Sequence, residues 1–243
     1  MQNIKVLIAA AGKGTRSGLD YPKTLYKING TPILIKILKT FYQFDNFPSI
    51  IVSPEGEKII KNTLQQYNFS ADLIIQQHPT GMGDAVLCFK KSKTFDKVEH
   101  ILLIWGDIPF ITKKTLRILT ETHLENKNHF TFLSGFSKKA YTIVIRNHKN
   151  EVTALKESKI SGLRLREGER DTGVFIFNKK IVFKELLSNK ADKISKIIKE
   201  NGFLSIVEKL VKKKYKIEAL QIANEKEMIS FNQKSDLNKI VKN

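Results

Sequence analysis

The chain has 243 residues, 41% hydrophobic and 27% charged, which suits one large folded domain or two small ones and excludes a disordered chain. Its single cysteine, Cys88, excludes an internal disulfide framework and a multi-cysteine zinc site. Lys and Arg outnumber Asp and Glu by 42 to 24, a net charge of +18, but six of the basic residues are Arg and the rest Lys spread along the chain, unlike the guanidinium clusters of a nucleic-acid reader.

Ile4 to Ala10 is a continuous apolar run, as expected of a strand buried on both faces. No run reaches the 18 apolar residues of a membrane span, and Val6 to Ala11 reads better as a first strand than as a signal-peptide core, so a cytoplasmic protein is expected. Pro32 to Phe44 has helical spacing, with Thr31 as N-cap and Pro32 in the first turn. Strands are expected at Ser49–Ser53, Asp72–Gln76 and His100–Trp105, and helices at Glu55–Tyr67, Ala85–Lys91 and Thr112–Asn126. Strand–helix repetition of this kind implies a parallel sheet covered on both faces.

The second half is less regular. Strands are expected at Phe130–Gly135, Tyr141–Arg146, Glu151–Leu155, Val174–Phe177 and Tyr215–Leu220, with a turn at Asn147–Asn150. Helices are expected at Lys179–Leu187, around Lys193–Glu200, at Leu204–Lys212 and from Ser235. No Pro/Gly/Ser-rich linker or internal repeat divides the chain. The expectation is therefore one α/β domain over residues 1–243: a doubly wound, mixed but mainly parallel sheet. Its nucleotide-binding half would span about 1–128. A second half, about 129–243, would form an antiparallel lobe over the sheet's open edge and end in a closing helix.

The loop after the first strand reads Ala10-Ala11-Gly12-Lys13-Gly14-Thr15-Arg16-Ser17-Gly18. Glycines at the carboxyl end of a strand let backbone N–H groups approach an anion closely. A Walker loop is absent, and Ser17 breaks the dinucleotide pattern. Lys13, Arg16 and the Pro22-Lys23 pair supply more positive charge than a dinucleotide loop uses, and suit a polyphosphate whose charge is neutralised while a bond breaks. The alternative is an ordinary Gly-rich turn with solvated cations.

These residues resemble the signature of sugar-1-phosphate nucleotidylyltransferases, closest to the uridylyltransferase domain of the bifunctional bacterial enzymes that make UDP-N-acetylglucosamine. Further segments agree in order: Gln76-Gln77-His78-Pro79-Thr80-Gly81-Met82-Gly83-Asp84-Ala85, Trp105-Gly106-Asp107-Ile108-Pro109, Glu157, Asp171-Thr172-Gly173 and Phe231-Asn232-Gln233-Lys234-Ser235-Asp236-Leu237. The resemblance implies a Rossmann-like nucleotidyltransferase fold. It implies Mg²⁺-assisted attack by a substrate phosphate on the α-phosphorus of a nucleoside triphosphate, with pyrophosphate released. Arg16 and Lys23 would be catalytic. Ala9, Ala10, Gly12, Lys13, Gly14, Thr15, Gln76 and Gly81 would hold the nucleotide. Asp107 and Asn232 would hold Mg²⁺, a cation that needs few protein ligands. Glu157, Asp171 and Thr172 would contact the phosphorylated small-molecule acceptor.

Each role has a plainer alternative. Asp107 could make an Asx turn before Pro109, and Asn232 could cap a helix. The Gln76 amide offers both a donor and an acceptor, so it serves uracil or cytosine. The acceptor half also departs from the family pattern: position 171 is Asp where the sugar enzymes carry Asn, and Thr142 stands where they have Gly. Two acceptors stay open, a hexosamine-type sugar 1-phosphate with UTP favoured, or a phosphorylated alcohol or amino alcohol with CTP. Rivals of other classes are a non-catalytic nucleotide-sugar binder and an RNA-binding protein. The latter lacks an aromatic-rich basic motif.

Overall fold

The computed structural model describes residues 4–12, 18–78, 80–157, 166–191, 202–231 and 236. The elements are β1 (Ile4–Ala9), β2 (Lys27–Ile28), β3 (Thr31–Pro32), α1 (Ile33–Phe41), β4 (Ser49–Val52), α2 (Pro54–Gln66), β5 (Asp72–Ile75), α3 (Met82–Leu87), β6 (His100–Trp105) and α4 (Lys113–Glu125). There follow β7 (Phe130–Ala140), β8 (Thr142–Arg146), β9 (Val152–Glu157), β10 (Arg166–Asn178), α5 (Lys179–Ala191), α6 (Ile206–Lys212) and β11 (Ile217–Gln221).

Seven strands form one sheet in the order β11-β7-β10-β6-β1-β4-β5. β1 pairs in parallel with β4 and β6, β4 with β5, and β11 with β7; β10 runs antiparallel between β6 and β7. The sheet is thus mixed and mainly parallel, as the strand–helix repetition implies. Its strands are apolar on both faces because both are covered. Leu7, Ile51, Ile101 and Leu103 pack toward α3, α5 and α6, whereas Val6, Ile8, Leu102 and Ile104 pack toward α1, α2 and α4. Each fully buried side chain of this size contributes about 1.5–3 kcal/mol of transfer free energy.

The second half enters the sheet more deeply than its sequence suggests. Beyond a lobe, it supplies three of the seven strands. β7 and β10 are 11 and 13 residues long, well past the expected Phe130–Gly135 and Val174–Phe177. Their outer stretches, Ser137–Ala140 and Arg166–Arg170, are polar or small and reveal no strand by periodicity. Their inner stretches pair Phe130 with Phe177 and Phe132 with Phe175, an aromatic layer closed by Phe203. The β8–β9 hairpin is the lobe. Arg146 fastens it to the sheet by two 2.7 Å hydrogen bonds to Glu169 and one of 3.0 Å to the Ala219 carbonyl.

Two helix starts differ from each other instructively. Thr112 caps α4 as expected, its hydroxyl accepting from Thr115 N–H at 3.2 Å. Thr31 does not cap α1: it pairs with Ile28 in a two-strand ribbon, and α1 begins after Pro32 without a side-chain cap. The tertiary pairing of β2 with β3 outcompetes the local cap. The expected helices around Lys193–Glu200 and from Ser235 lie outside the described residues, save Asp236. Among the described residues no helix is long and apolar enough to cross a membrane.

Candidate active site

The carboxyl ends of β1 and β6 meet. Gly106 N–H donates to the Ala9 carbonyl at 2.9 Å, and Ala10 N–H donates to Ile51 O at 2.9 Å. A Cβ at Gly106 would stand 3.0 Å from Ala9 O and 3.2 Å from Ala10 Cβ, so glycine permits the two strand tips to touch. That approach sets Asp107 beside the turn that begins at Ala10. Among the described residues, a Cβ at Gly12 would meet no atom within 4 Å.

Lys23 comes to the same place from a short 3₁₀ turn, Lys23–Leu25, that follows Pro22. Its ammonium donates to Asp107 Oδ2 in an ion pair. The Asp107 residue is 6% exposed, and among the described residues its other oxygen, Oδ1, is buried with no hydrogen-bond partner. An unpartnered buried carboxylate oxygen is costly and rare in native proteins. It is also a hard anionic donor of the kind Mg²⁺ takes. Asp107 therefore fits a divalent cation. Among the described residues, Thr24 Oγ1, Trp105 Nε1 and Thr172 Oγ1, all chain neighbours of this site's residues, are buried and unpartnered too. Phe231 N–H donates to the Asp107 carbonyl at 2.9 Å, which brings the chain just before Asn232 to the β6 tip.

Gln76 continues the line of β5, its N–H bonded to Val52 O at 2.9 Å. Its side-chain Nε2 donates to the Gly81 carbonyl at 3.4 Å. Gly81 has φ +104°, a conformation that glycine adopts at little cost, and opens α3.

The expected acceptor residues are also drawn together. Glu157 lies opposite Thr142 in the β8–β9 register, and the Thr142 hydroxyl donates to Asp171 Oδ1. A register shift in β10 between Asp171 and Phe175 carries Gly173 at φ +84°, against the Trp105 ring; a Cβ there would come within 2.8 Å of the indole. Such bulges re-aim side chains. Here the shift includes Thr172, two residues before Val174, which pairs with Ile104 of β6. Asp171 is 1% exposed, and its second oxygen accepts from Gly173 N–H at 2.9 Å. Each carboxylate oxygen thus accepts a hydrogen bond from within the fold. Burial pushes its pKa up, against the opposing pull of Thr142, Arg170 and Gly173.

Lys13, Gly14, Thr15, Arg16 and Asn232 lie outside the described residues. Sequence reasoning missed the Thr142–Asp171 bond, although both positions stood out as departures from the pattern. It also missed buried Arg170, which donates to the carbonyls of Asp171 and Met228 and lies 5.1 Å from the Tyr141 ring centre. Nothing in the local sequence marks that arginine as buried.

The family described as the MobA-like NTP transferase domain matches residues 6–171. The chain belongs to this family. Among curated relatives, the bifunctional protein GlmU of Streptococcus agalactiae serotype V is 31% identical over 185 residues, covering 74% of this chain and 39% of that protein. GlmU of Buchnera aphidicola subsp. Schizaphis graminum is 29% identical over 240 residues, covering 97% of this chain and 50% of that protein. The NTP transferase chain thus spans about half, or less, of the length of these relatives. Two solved structures share its fold at 16% identity over 98% of the chain. A putative glucose-1-phosphate thymidylyltransferase from Bacillus anthracis gives a TM-score of 0.74 with 93% of that chain covered. A 4-diphosphocytidyl-2C-methyl-D-erythritol synthase from Anaerococcus prevotii gives 0.67 with 96% covered. In this NTP transferase domain the matched residues end at Asp171, where the register shift of β10 against β7 begins.

Proposed function

We propose that the protein transfers a nucleoside monophosphate from a nucleoside triphosphate, UTP by preference, to a sugar 1-phosphate of the N-acetylglucosamine 1-phosphate type, releasing pyrophosphate. The observation that carries this reading is the meeting of Lys23 and Asp107 at the joined tips of β1 and β6, with Asp107 Oδ1 unpartnered among the described residues. An oxygen of the acceptor phosphate attacks the α-phosphorus, and the bond from that phosphorus to the oxygen leading to the β-phosphate breaks. Negative charge grows on the α-phosphate oxygens and on the departing pyrophosphate. Lys23 and Arg16 offset it, and Lys13 with the backbone of Gly12, Gly14 and Thr15 holds the β- and γ-phosphates. Asp107 and Asn232 would hold Mg²⁺, which when bound supplies further neutralisation of the phosphates.

Ala9 and Ala10 give the base a flat backbone surface. A Gln76 amide whose nitrogen is held by Gly81 offers its oxygen to a base N–H, N3–H of uracil or the 4-amino group of cytosine. Glu157 and the Thr172 hydroxyl face the acceptor. One sheet threading both halves supports treating residues 1–243 as a single catalytic domain, which we place in the cytoplasm.

The Thr142–Asp171 bond favours a second reading, cytidylyl transfer to a phosphorylated alcohol or amino alcohol. These two side chains satisfy each other and leave less polar surface for a hexosamine. The deciding experiment incubates the protein and Mg²⁺ with UTP, CTP or dTTP against a panel of sugar 1-phosphates and phosphorylated alcohols, reading pyrophosphate. UTP with a hexosamine 1-phosphate is expected to lead. CTP with an alcohol phosphate would establish the second reading. Nucleotide binding without pyrophosphate from any pair would make the protein a binder and not an enzyme.

A further inference from the structure

The segment that carries Lys23 has a second side. Tyr21, Leu25 and Tyr26 of this segment line an open cavity of about 540 Å³ that faces α2. The volume lies within the range of small-molecule sites. Tyr67 adds a third aromatic ring, and Ile59 and Thr63 of α2 form the far wall. Among the described residues Lys27 is the one charged residue in the lining; burial raises the Tyr21 pKa, and Asp20, beside Tyr21 in the chain, lies near enough to add to the rise. Flat rings stack favourably on aromatic faces, and an ammonium attracts an anion.

Two connections lead from this cavity to Asp107. The first is the chain itself: Tyr21 and Leu25 flank Lys23, whose ammonium pairs with Asp107. The second runs through Tyr26. Its ring stacks on buried Phe231 at 4.6 Å between centres, and Phe231 N–H is bonded to the Asp107 carbonyl. α2 also touches the same segment: a Cβ on Gly56 would stand 3.0 Å from Pro22 Cγ.

We propose that this cavity is a second ligand site, for a small aromatic ring bearing an anionic group, and that its occupant governs the placement of Lys23 against Asp107. A ring seated between the tyrosines bears on both connections at once, because Tyr26 and Leu25 cannot shift without moving Phe231 or Lys23. The consequence for turnover rests on the proposed nucleotidyl transfer; binding does not.

The probe is 4-hydroxybenzoate, titrated into the full chain by calorimetry, with neutral 4-hydroxybenzamide as control. The benzoate should fill one site at least about tenfold more tightly than the amide, a difference of about 1.4 kcal/mol. Thr63→Phe, which fills the cavity, and Lys27→Gln, which removes the ammonium, should each weaken it about tenfold or more, and Lys27→Gln should leave basal pyrophosphate release unchanged. No measurable binding, equal affinity for the amide, or unaltered affinity in Thr63→Phe overturns the site. Coupling is read without catalysis from Trp105, the chain's one tryptophan, two residues before Asp107. Its emission should change on saturation in the wild type and not in Thr63→Phe; an unmoved emission with intact binding overturns the coupling. The KM for UTP should shift in parallel. Absence of pyrophosphate release under every condition would defeat the functional reading while calorimetry and emission still decide the cavity.

Discussion

Lys23 and Asp107 are separated by 84 positions and meet because Gly106 lets β6 end against β1. If they serve phosphates and a cation, Lys23→Ala and Asp107→Ala should each lower kcat by about 10²-fold or more, the usual scale for removing a charge-stabilising group. Steady-state pyrophosphate assays check this, and turnover within threefold of wild type would refute the assignment. Asp171 belongs to a different class of residue. Burial raises its folded pKa above the usual 3.8, so on ionisation the unfolded chain gains more than the folded one. Its unfavourable contribution therefore grows as pH rises above about 4. Asp171→Asn, which keeps size and hydrogen-bonding capacity, should lose little at pH 4 and gain stability relative to wild type as pH rises. Denaturant midpoints from pH 4 to 8 measure it, and a gap that narrows with pH would contradict the stated cause.

At the level of elements, α4 is held at both ends by polar contacts between distant segments. At its N-terminus, buried Glu227 accepts from Thr112 N–H at 3.0 Å and the Thr115 hydroxyl at 2.6 Å, completing the Thr112 cap. Thr112→Ala should cost about 1 kcal/mol, as cap removals do. Glu227→Ala should cost more, since it strands several donors at once. Urea titration separates the two, and equal effects would deny Glu227 its part in the cap. Near its C-terminus, His123 is fully buried between His100 on β6 and Thr131 on β7, at 3.0 and 2.9 Å. Burial, with His100 and His129 nearby, lowers its pKa to about 3. The folded state keeps it neutral while the unfolded chain takes up a proton below about 6.5, so stability falls as pH drops from about 6.5 toward 3. His123→Gln should flatten the acid side of the stability profile, and an unchanged slope would refute the cause.

For the whole molecule, the net charge of +18 acts at a distance. A positive field raises encounter rates with anionic substrates and is screened by salt over about 8 Å at physiological ionic strength. Raising KCl from about 50 to 300 mM should therefore lower kcat/KM for the triphosphate several-fold with a smaller change in kcat. A salt-independent kcat/KM would mean that the lysines are solvated without steering.

The first half of the fold was legible because its strands are buried on both faces and its helices carry one apolar stripe, patterns that a linear chain displays openly. Ala10 to Arg16, Pro22-Lys23 and Gly106-Asp107 likewise stand out in the linear chain as a candidate site, since they combine glycine, cation and carboxylate. The sequence alone determined these elements and the residue types of the site. Tertiary structure decided the rest. The lengths of β7 and β10 depend on pairing with each other. The Thr142–Asp171 bond and the burial of Arg170 depend on a shift in strand register. The pairing of Lys23 with Asp107 depends on how two strand tips pack. Each is a contact between distant segments, and its energy arises only when folding brings them into reach, so no local pattern of residues encodes it.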